Sequence, residues 1–376
     1  MLYFVHVPSV ERRGTHKIVF LGARTDVPHW VHTIHMEVLE NVPLTEHTTL
    51  RLGGLARFFV SVSSIEELRD AITFAKEKTL PIYILGGGSN VLFSDDGWKG
   101  LVIHIALVGR EYDEDSKGDA RIVACAGEIW DQLVEETVSL GLWGMENLSR
   151  IPGTVGAAPV QNIGAYGAEV KNIIDWVEVL DIHTGDLHIL SVEECAFGYR
   201  DSVFKHRGGR DYIVTRVAFR LSTYPQPNIQ YKDLREHFRD RTDVSVKEVR
   251  AVINEIREAK FPSLSKVGTA GSFFKNPVIG KVLQNEIEGW LDAPVPSYEV
   301  DEGHVKVPLG WIFEKLGWKG KQIGAMGCWK NQALVLVHFG GGTASELLSF
   351  IQEITQDVKR KTNIEIVPEV DIVLNK

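Results

Sequence analysis

The stretch Gly86-Gly87-Gly88-Ser89-Asn90 follows the apolar run 82–85 and is followed at once by Val91-Leu92-Phe93. These glycines therefore lie between two predicted strands, whereas the dinucleotide-binding fingerprint of a Rossmann fold places its glycines between a strand and a helix. Backbone N–H groups that no side chain covers can surround a pyrophosphate. The alternative is a glycine-rich hairpin turn, which is the commoner structure. The stretch predicts one of these two structures and argues against a Rossmann fold.

A second glycine-rich stretch, IPGTVGAAPVQNIGAYG at 151–167, contains four glycines and few large side chains. Such a segment packs poorly as core but suits a large planar or phosphorylated ligand that lies against the backbone. We expect Gln161 and Asn162 to contact the polar edge of that ligand. The presence of two such stretches favours ligand binding over two ordinary turns.

Around these stretches, the chain alternates between predicted strands and helices. Ser or Thr followed three residues later by Glu is a capping box, which marks the first turn of a helix. Capping boxes predict helix starts at Ser63 or Ser64, at Ser245 and at Thr343. Apolar runs predict strands at 57–62, 82–85, 333–337 and 364–374, and a buried helix from Leu309.

The composition is that of an ordinary globular protein with more than one domain. The chain has 376 residues, which is more than one hydrophobic core usually serves. It is 44% hydrophobic and 24% charged, and no segment approaches the roughly 18 apolar residues of a membrane span. The formal net charge of -9 argues against general nucleic-acid binding. We therefore expect two or three domains, no membrane insertion and no nucleic-acid partner.

Cysteine and histidine usage argues against a disulfide framework and against a metal site. Cys125, Cys195 and Cys328 are far apart and lack CxxC spacing. The 13 histidines show no ligand spacing near the motifs. A reducing cytoplasm without a bound metal fits best. Residues 1–35 lack the pattern of a signal peptide, and we expect them to be a linker, a disordered extension or translation from an upstream start codon.

The segment GTAGSFFKNP at 268–277 places the hydroxyl of Ser272 in a glycine-rich turn ahead of two aromatic residues. Gly268 and Gly271 permit positive φ or a close approach to a ligand. Lys275 supplies a positive charge for a phosphate, and Asn276 supplies a donor and an acceptor. Taken alone, the segment is either a reactive site or a polar turn with an ordinary serine.

Five motifs occur in an order typical of one enzyme family: GGGSN at 86–90, the stretch 151–167, FGYRDSVFK at 197–205, GTAGSFFKNP at 268–277 and PEV at 368–370. On these motifs the chain resembles the UDP-N-acetylenolpyruvoylglucosamine reductases, from about residue 36 to about residue 374. The resemblance implies an FAD-dependent oxidoreductase that uses NADPH to reduce UDP-N-acetylglucosamine enolpyruvate to UDP-N-acetylmuramate in peptidoglycan precursor synthesis. It also implies non-covalent FAD and a cytoplasmic monomer that serves cell-wall biogenesis, cell shape, cell division and the cell cycle.

The resemblance further implies the fold class and the domain boundaries. The expected fold is α+β, with a two-part FAD-binding domain similar to that of vanillyl-alcohol-oxidase-type flavoproteins and a C-terminal α/β substrate-binding domain. The expected FAD-binding subdomains are 36–104 and 105–224, and the expected substrate-binding domain is 240–364. Because Glu369 must reach the flavin, residues 365–376 are expected to return to the first subdomain.

Three residues match the catalytic residues of the family. Ser272 matches the serine that gives a proton to C2 of the enolpyruvyl group, after hydride from N5 of the flavin adds to C3. A hydroxyl suffices as the donor because the carbanion formed at C2 is a strong base. Arg200 matches the arginine that faces the enolpyruvyl carboxylate and stabilises the growing negative charge. Glu369 matches a glutamate that hydrogen-bonds this carboxylate or a water in the proton path.

The binding residues that the resemblance implies form two sets. The cofactor set is Gly86, Gly87, Gly88, Ser89, Asn90, Gly153, Thr154, Gly156, Ala157, Gln161, Asn162, Gly164, Ala165 and Tyr166. The substrate set is Tyr199, Tyr231, Lys260, Lys275 and Asn276. The loop 225–235 indicates the longer-loop (type I) subclass, in which a tyrosine closes over the UDP diphosphate. For Tyr231 the alternative is an exposed loop aromatic.

The stretch His338-Phe339-Gly340-Gly341-Gly342 departs from the family pattern, because relatives commonly have an asparagine and a shorter polar turn there. The departure either changes hydrogen bonding on the substrate side or only lengthens a loop.

Two other functions compete with the reductase. A flavoprotein oxidase or dehydrogenase acting on a sugar or hydroxyacid would share the glycine stretches but would not need Arg200, Ser272 and Glu369 together. A flavin- or nucleotide-sugar-binding module without activity would not need to retain these three groups. We therefore expect the reductase.

Overall fold

The computed structural model describes residues 17–18, 36–114, 119–239, 241 and 243–374. The predicted N-terminal extension lies outside the described residues except for Lys17 and Ile18. The strands are β1 (Lys17–Ile18), β2 (Val38–Pro43), β3 (Leu55–Val62), β4 (Ile82–Leu85), β5 (Val91–Phe93), β6 (Trp98–Ile105), β7 (Arg110–Glu114), β8 (Asp119–Cys125), β9 (Gly164–Ala165), β10 (Ala168–Glu169), β11 (Ile174–Asp181), β12 (Leu187–Ser191), β13 (Tyr212–Ser222), β14 (Val278–Gly280), β15 (Tyr298–Glu299), β16 (His304–Lys306), β17 (Gln322–Ile323), β18 (Met326–Cys328), β19 (Leu336–His338) and β20 (Asp371–Val373). The α-helices are α1 (Ile65–Glu77), α2 (Trp130–Ser139), α3 (Ala157–Gln161), α4 (Lys232–Phe238), α5 (Val246–Lys260), α6 (Lys281–Leu291), α7 (Leu309–Lys315) and α8 (Ala344–Thr362).

The first sheet positions the loop at 86–90. Its strand order is β1-β2-β3-β6-β4, with β3, β6 and β4 parallel to one another. Helix α1 is the crossover between β3 and β4, and it begins where the Ser64 side chain accepts a hydrogen bond from the Glu67 N–H. Of the two predicted starts, Ser64 is therefore the observed one. Because β4 ends at Leu85, the glycine loop lies at the carboxyl edge of this sheet, where α/β proteins commonly bind ligands.

The second sheet is antiparallel, with the order β12-β11-β13-β8-β7. Its apolar face and that of the first sheet contribute to one large core, which also contains Trp130 and Leu133 of α2. Helix α5 begins at the predicted capping box of Ser245 and Glu248. It buries Val249 and Ile253 in this same core, although the sequence places residues 240–260 in the substrate-binding domain. By its packing, α5 belongs with the two large sheets.

The C-terminal part has its own core, formed by two three-stranded sheets and the helices α6, α7 and α8. Helix α8 begins at the predicted capping box of Thr343 and Glu346. Two predicted strands are shorter than expected: the structure has β19 in place of 333–337 and β20 in place of 364–374. None of the helices in the described ranges is long and apolar enough to cross a membrane.

Strand β20 places the C-terminal segment beside the glycine loop. It pairs in parallel with β5, with Asp371 opposite Val91. The Asp371 N–H also donates to the carbonyl of Asn90 at 3.0 Å. Since β5 follows the glycine loop directly, this pairing holds Glu369 beside that loop.

Candidate active site

The two glycine-rich stretches lie against each other. A Cβ at Gly86 would lie 2.7 Å from Oγ1 of Thr154, and a Cβ at Gly87 would lie 3.0 Å from Cα of Gly153. The hydroxyl of Ser89 donates to the carbonyl of Pro152 at 3.0 Å. These distances leave little space for larger side chains. The contact between the two stretches therefore depends on their glycines.

The facing loops present backbone donors for which the described residues provide no acceptor. Within the described ranges, the N–H groups of Gly87, Gly88, Ser89, Gly153 and Thr154 donate to no protein atom. A concave set of uncovered N–H groups is the arrangement that binds phosphate and diphosphate groups. The residues present therefore fit the diphosphate of FAD, and we call this set of N–H groups the cofactor cradle.

We predict that replacing Gly88 with alanine removes bound FAD. Gly88 has φ +62°, and a Cβ there would lie 2.0 Å from the carbonyl oxygen of His47. A left-handed backbone costs an L-residue about 1–2 kcal/mol, and the contact forces the loop to move as well. The flavin-to-protein ratio of the purified variant measures the effect. Gly185→Ala is the matched control, because Gly185 has φ +78° and no atom of the described residues beyond its chain neighbours lies within 4 Å of its Cβ position. Full flavin content in Gly88→Ala would contradict the prediction that this loop binds the diphosphate of FAD.

Arg200 lies in a tight turn closed by the pairing of Gly198 with Asp201. Its Nη1 donates to the carbonyl of Asn162 at 3.2 Å, and its Nη2 donates to the carbonyl of Gly164 at 2.5 Å. Its Nε lies 3.0 Å from Oε1 of Glu369. The stretch 151–167 therefore fixes the direction of the guanidinium as well as forming one wall of the cradle.

The guanidinium of Arg200 retains unused donors. Nε is buried and makes no hydrogen bond within the described ranges, because its N–H does not point at Oε1 of Glu369 despite their proximity. Each terminal nitrogen carries a second N–H as well. A buried, unsatisfied donor is uncommon and calls for a ligand or water partner. The arrangement suits an anionic ligand beside Arg200.

Ser272 and Glu369 meet on neighbouring extended segments. The Phe273 N–H donates to the carbonyl of Leu334 at 2.9 Å, and the Glu369 N–H donates to the carbonyl of Phe273 at 2.8 Å. The segment that carries Ser272 is thus held between residues 333–335 and residues 367–369. Among the residues that the structure describes, Oγ of Ser272 has no hydrogen-bond partner, so the hydroxyl is available to a ligand.

Two amide side chains connect Glu369 to the cofactor cradle. Nδ2 of Asn90, the last residue of the glycine loop, donates to the Glu369 carbonyl at 3.2 Å. Nε2 of Gln161 donates to Oε1 of Glu369 at 3.1 Å. The structure therefore brings Arg200, Ser272 and Glu369 together next to the cradle, although 72 or more positions of sequence separate each from the next.

Two residues of the predicted cofactor set have structural roles. Asn162 is fully buried, and its Nδ2 donates to the carbonyl of Gly198 at 2.8 Å. The Asn162 side chain therefore supports the Arg200 turn. Gly156 is required by packing, since a Cβ there would lie 2.5 Å from Cβ of Ala126. A sequence motif does not distinguish residues that support the site from residues that contact the ligand.

The remaining members of the cofactor set lie along the same stretch. A Cβ at Gly86 would lie 3.6 Å from that of Ala157, which places Ala157 at the cradle. Gly164 and Ala165 form a hairpin with β10, and a Cβ at Gly164 would lie 2.9 Å from Nη1 of Arg200. The Gly164 carbonyl therefore holds Arg200, and Ala165 pairs with Ala168 in the hairpin.

Three residues of the substrate set lie near Arg200: Lys275 contacts its carbonyl, the Tyr199 ring lies 5.7 Å from its Cζ, and Asn276 hydrogen-bonds Tyr199. Nζ of Lys275 donates to the Arg200 carbonyl at 3.3 Å. The ring of Tyr199 lies 4.4 Å from Nζ of Lys306. Oδ1 of Asn276 accepts a hydrogen bond from the Leu309 N–H at 3.0 Å and so caps helix α7. This cap is a structural role that the sequence alone did not reveal.

Tyr231 and Lys260 form a second group, together with Tyr166 from the cofactor set. The rings of Tyr166 and Tyr231 meet edge to face with centroids 5.4 Å apart. Lys260 forms an ion pair with Asp233 and lies 5.9 Å from the Tyr166 ring centroid. Burial, followed by the negative charge of Asp233, raises the pKa of Tyr231. The Tyr231 hydroxyl therefore stays protonated at neutral pH and can donate a hydrogen bond.

His338 links the turn that carries Ser272 to Leu50, which lies in the connection between β2 and β3. Its backbone exchanges two hydrogen bonds with Gly268, at 2.8 and 2.9 Å. The Gly342 N–H donates to Nε2 of His338 at 3.1 Å. Nδ1 must then carry the ring proton, and it lies 3.2 Å from the carbonyl of Leu50. The departure at 338–342 therefore supports the position of the serine turn.

Two family models match the chain. The model described as an FAD binding domain matches residues 56–191, which include both glycine-rich stretches. The model described as the C-terminal domain of UDP-N-acetylenolpyruvoylglucosamine reductase matches residues 262–373, which include Ser272 and Glu369.

Curated relatives and a solved structure agree with these matches. The chain is 38% identical over 332 residues to the UDP-N-acetylenolpyruvoylglucosamine reductase of Ralstonia nicotianae, covering 87% of this chain and 96% of that protein. It is 38% identical over 335 residues to that of Bdellovibrio bacteriovorus, covering 89% and 99%. The crystal structure of the Thermus caldophilus enzyme superposes with a TM-score of 0.63 at 26% identity, covering 90% of this chain and 100% of that chain.

These comparisons confirm the predicted α+β fold class, with an FAD-binding part and a C-terminal part, and FAD as the cofactor. The chain therefore belongs to the UDP-N-acetylenolpyruvoylglucosamine reductase family, the FAD-dependent oxidoreductases of peptidoglycan precursor synthesis.

Proposed function

We propose that this protein uses NADPH to reduce the enolpyruvyl group of UDP-N-acetylglucosamine enolpyruvate, which yields UDP-N-acetylmuramate. The observation that supports this most strongly is the convergence of Arg200, Ser272 and Glu369 beside the glycine cradle. Reduction of an enol ether that carries a carboxylate requires a proton donor and a cationic group that binds this carboxylate. Ser272 and Arg200 supply these two groups, and the carboxylate of Glu369 lies beside them.

When bound, FAD would supply the hydride that adds to C3 of the enolpyruvyl group. Ser272 then gives its hydroxyl proton to C2, where the negative charge has accumulated. Its hydroxyl accepts and donates nothing within the described part of the chain, so no protein contact has to break before the transfer. A positioned proton donor of this kind contributes roughly 10²- to 10⁴-fold to a rate.

Arg200 holds the carboxylate next to C2. Its unused N–H groups bind the carboxylate and stabilise the charge that delocalises from C2 onto it. Oε1 of Glu369 keeps the guanidinium in place through the contact at 3.0 Å. Oε2 of Glu369 accepts no hydrogen bond from the described residues and is available to a water in the proton path.

Tyr231 is proposed to close over the UDP diphosphate, as in the longer-loop subclass. We predict that Tyr231→Phe raises the KM for the UDP-sugar several-fold, because only the hydroxyl is lost, and that Tyr231→Ala raises it further. The kcat for saturating substrate should change little, since binding to the diphosphate is equal in the ground and transition states. Tyr224→Phe is the control, as Tyr224 is exposed. An unchanged KM in Tyr231→Ala would show that Tyr231 is an ordinary loop aromatic.

Product analysis tests the proposed reaction. NADPH oxidation should depend on the enolpyruvyl substrate, and mass spectrometry should show a product heavier by two hydrogen atoms. In deuterated water, NMR should find solvent deuterium at C2, because the Ser272 hydroxyl exchanges with solvent. Oxygen consumption with an alcohol would instead support the oxidase, and binding without turnover would support the module that lacks activity.

Further proposals follow from family membership. We propose that FAD is bound non-covalently, which flavin left in the pellet after acid precipitation would contradict. We also propose a cytoplasmic monomer that contributes to cell shape and cell division through cell-wall biogenesis. The boundaries 36–104, 105–224 and 240–364 remain predictions, and the packing of α5 favours moving the start of the last domain beyond Lys260.

A further inference from the structure

Arg200 has a backbone conformation that its side chain disfavours. Its φ is +52°, in the left-handed region. For an L-residue other than Asn or Asp this region is sparsely populated and strained. Such a conformation persists only when surrounding contacts fix it. The contacts that hold Arg200 are therefore part of how the guanidinium is aimed.

Two ammonium groups hold the carbonyl of Arg200. Nζ of Lys205 donates to this oxygen at 3.2 Å, and Nζ of Lys275 donates to it at 3.3 Å. Hydrogen bonds from charged donors are roughly twice as strong as neutral ones. Lys205 ends the motif at 197–205, so the motif fixes the conformation of its own arginine.

Lys205 also sets the orientation of an amide that contacts Glu369. Its Nζ donates to Oε1 of Gln161 at 3.2 Å, and Nε2 of Gln161 donates to Oε1 of Glu369 at 3.1 Å. Lysine has only donors, so the oxygen of Gln161 must face Lys205. The nitrogen of Gln161 then faces Glu369, which needs a donor.

We propose that Lys205 is a positioning residue, which fixes Arg200 through its carbonyl and Glu369 through Gln161. Lys205 acts on the enolpyruvyl carboxylate through these two residues. The inference rests on the proposed function of Arg200 and Glu369. Burial, together with the positive charge of Lys275, lowers the pKa of Lys205. The site therefore disfavours the charge of Lys205, and its hydrogen bonds offset this unfavourable electrostatic environment.

Ligand binding to the FAD-loaded protein tests this proposal without turnover. UDP-N-acetylmuramate carries a carboxylate next to C2, whereas UDP-N-acetylglucosamine has none. In Lys205→Met, calorimetry should show about tenfold weaker binding of UDP-N-acetylmuramate, or about 1.4 kcal/mol, with unchanged binding of UDP-N-acetylglucosamine. Lys205→Arg retains donors and should recover part of the loss. Equal losses for both ligands would indicate a merely structural role and would overturn the proposal.

Kinetics provide the second readout. Lys205→Met should lower kcat with the enolpyruvyl substrate about 10- to 100-fold, while the rate of flavin reduction by NADPH and the flavin content stay near those of the unmodified protein. Lys76→Met is the matched control, because Nζ of Lys76 also donates to a backbone carbonyl, that of His183, at 3.1 Å. A kcat that is unchanged in Lys205→Met would refute the positioning role of Lys205 and leave the proposed function intact. If the unmodified protein itself fails to turn over this substrate, the proposed function fails instead.

Discussion

Ser272→Ala is expected to lower the rate of substrate reduction roughly 10²- to 10⁴-fold, the usual contribution of a positioned proton donor. Flavin reduction by NADPH should be unchanged, because the hydroxyl is proposed to act only on C2 of the substrate. Folding should be preserved as well, since Oγ of Ser272 makes no hydrogen bond within the described part of the chain. Stopped-flow absorbance, which follows the two half-reactions separately, measures the effect.

Ser265→Ala is the matched control for this variant. Ser265 lies on the exposed segment just before the serine turn, where its hydroxyl is 2.7 Å from that of Ser263. Its loss should leave both half-reactions unchanged. If Ser272→Ala slows both half-reactions equally, or neither, then Ser272 is not the proton donor. Partial recovery of the Ser272→Ala rate on addition of a small acid, which would replace the missing Ser272 hydroxyl, would support the assignment.

Arg200→Lys is expected to lower the same half-reaction about 10²- to 10³-fold, the range found when one donor to a developing oxyanion is removed. The charge remains, but lysine lacks the planar fork that binds a carboxylate. It would also lose the two bonds from Nη1 and Nη2 to the carbonyls of Asn162 and Gly164. Since Lys and Arg have the same cost at φ +52°, the backbone strain is unchanged.

The binding of UDP-N-acetylmuramate should weaken in Arg200→Lys, and the binding of UDP-N-acetylglucosamine should not. Arg207→Lys, an exposed change seven positions along the chain, is the control. Activity retained in Arg200→Lys would show that a positive charge alone suffices and that the guanidinium geometry is not required.

Many helices and strands were predictable from the sequence because their signals, such as capping boxes, involve only residues that are close in the chain. The capping boxes at Ser245 and Thr343 mark the observed starts of α5 and α8. The strand at 82–85 also has its predicted bounds. Strand lengths near the C-terminus were overestimated, because an apolar run shows that a segment is buried and does not show whether it finds a pairing partner.

The sequence predicted those site residues whose side chains are themselves proposed to act on the substrate. Ser272, Arg200 and Glu369 converge, but the supporting residues could not be distinguished from ligand contacts by type. Asn162 and Asn276 have amide groups suited to a ligand, yet one supports the Arg200 turn and the other caps α7. The role inferred for Lys205 depends on distances to Arg200 and Gln161 that no sequence pattern encodes.

The proposed function requires that this site move electrons from NADPH to the enolpyruvyl group. In an anaerobic flavin titration, the purified protein is reduced with NADPH, and UDP-N-acetylglucosamine enolpyruvate is then added. We expect the flavin absorbance to bleach with NADPH and to recover in proportion to the added substrate. Bleaching without recovery would contradict the proposed substrate, and a protein that retains no flavin would contradict the cradle at Gly86-Gly87-Gly88.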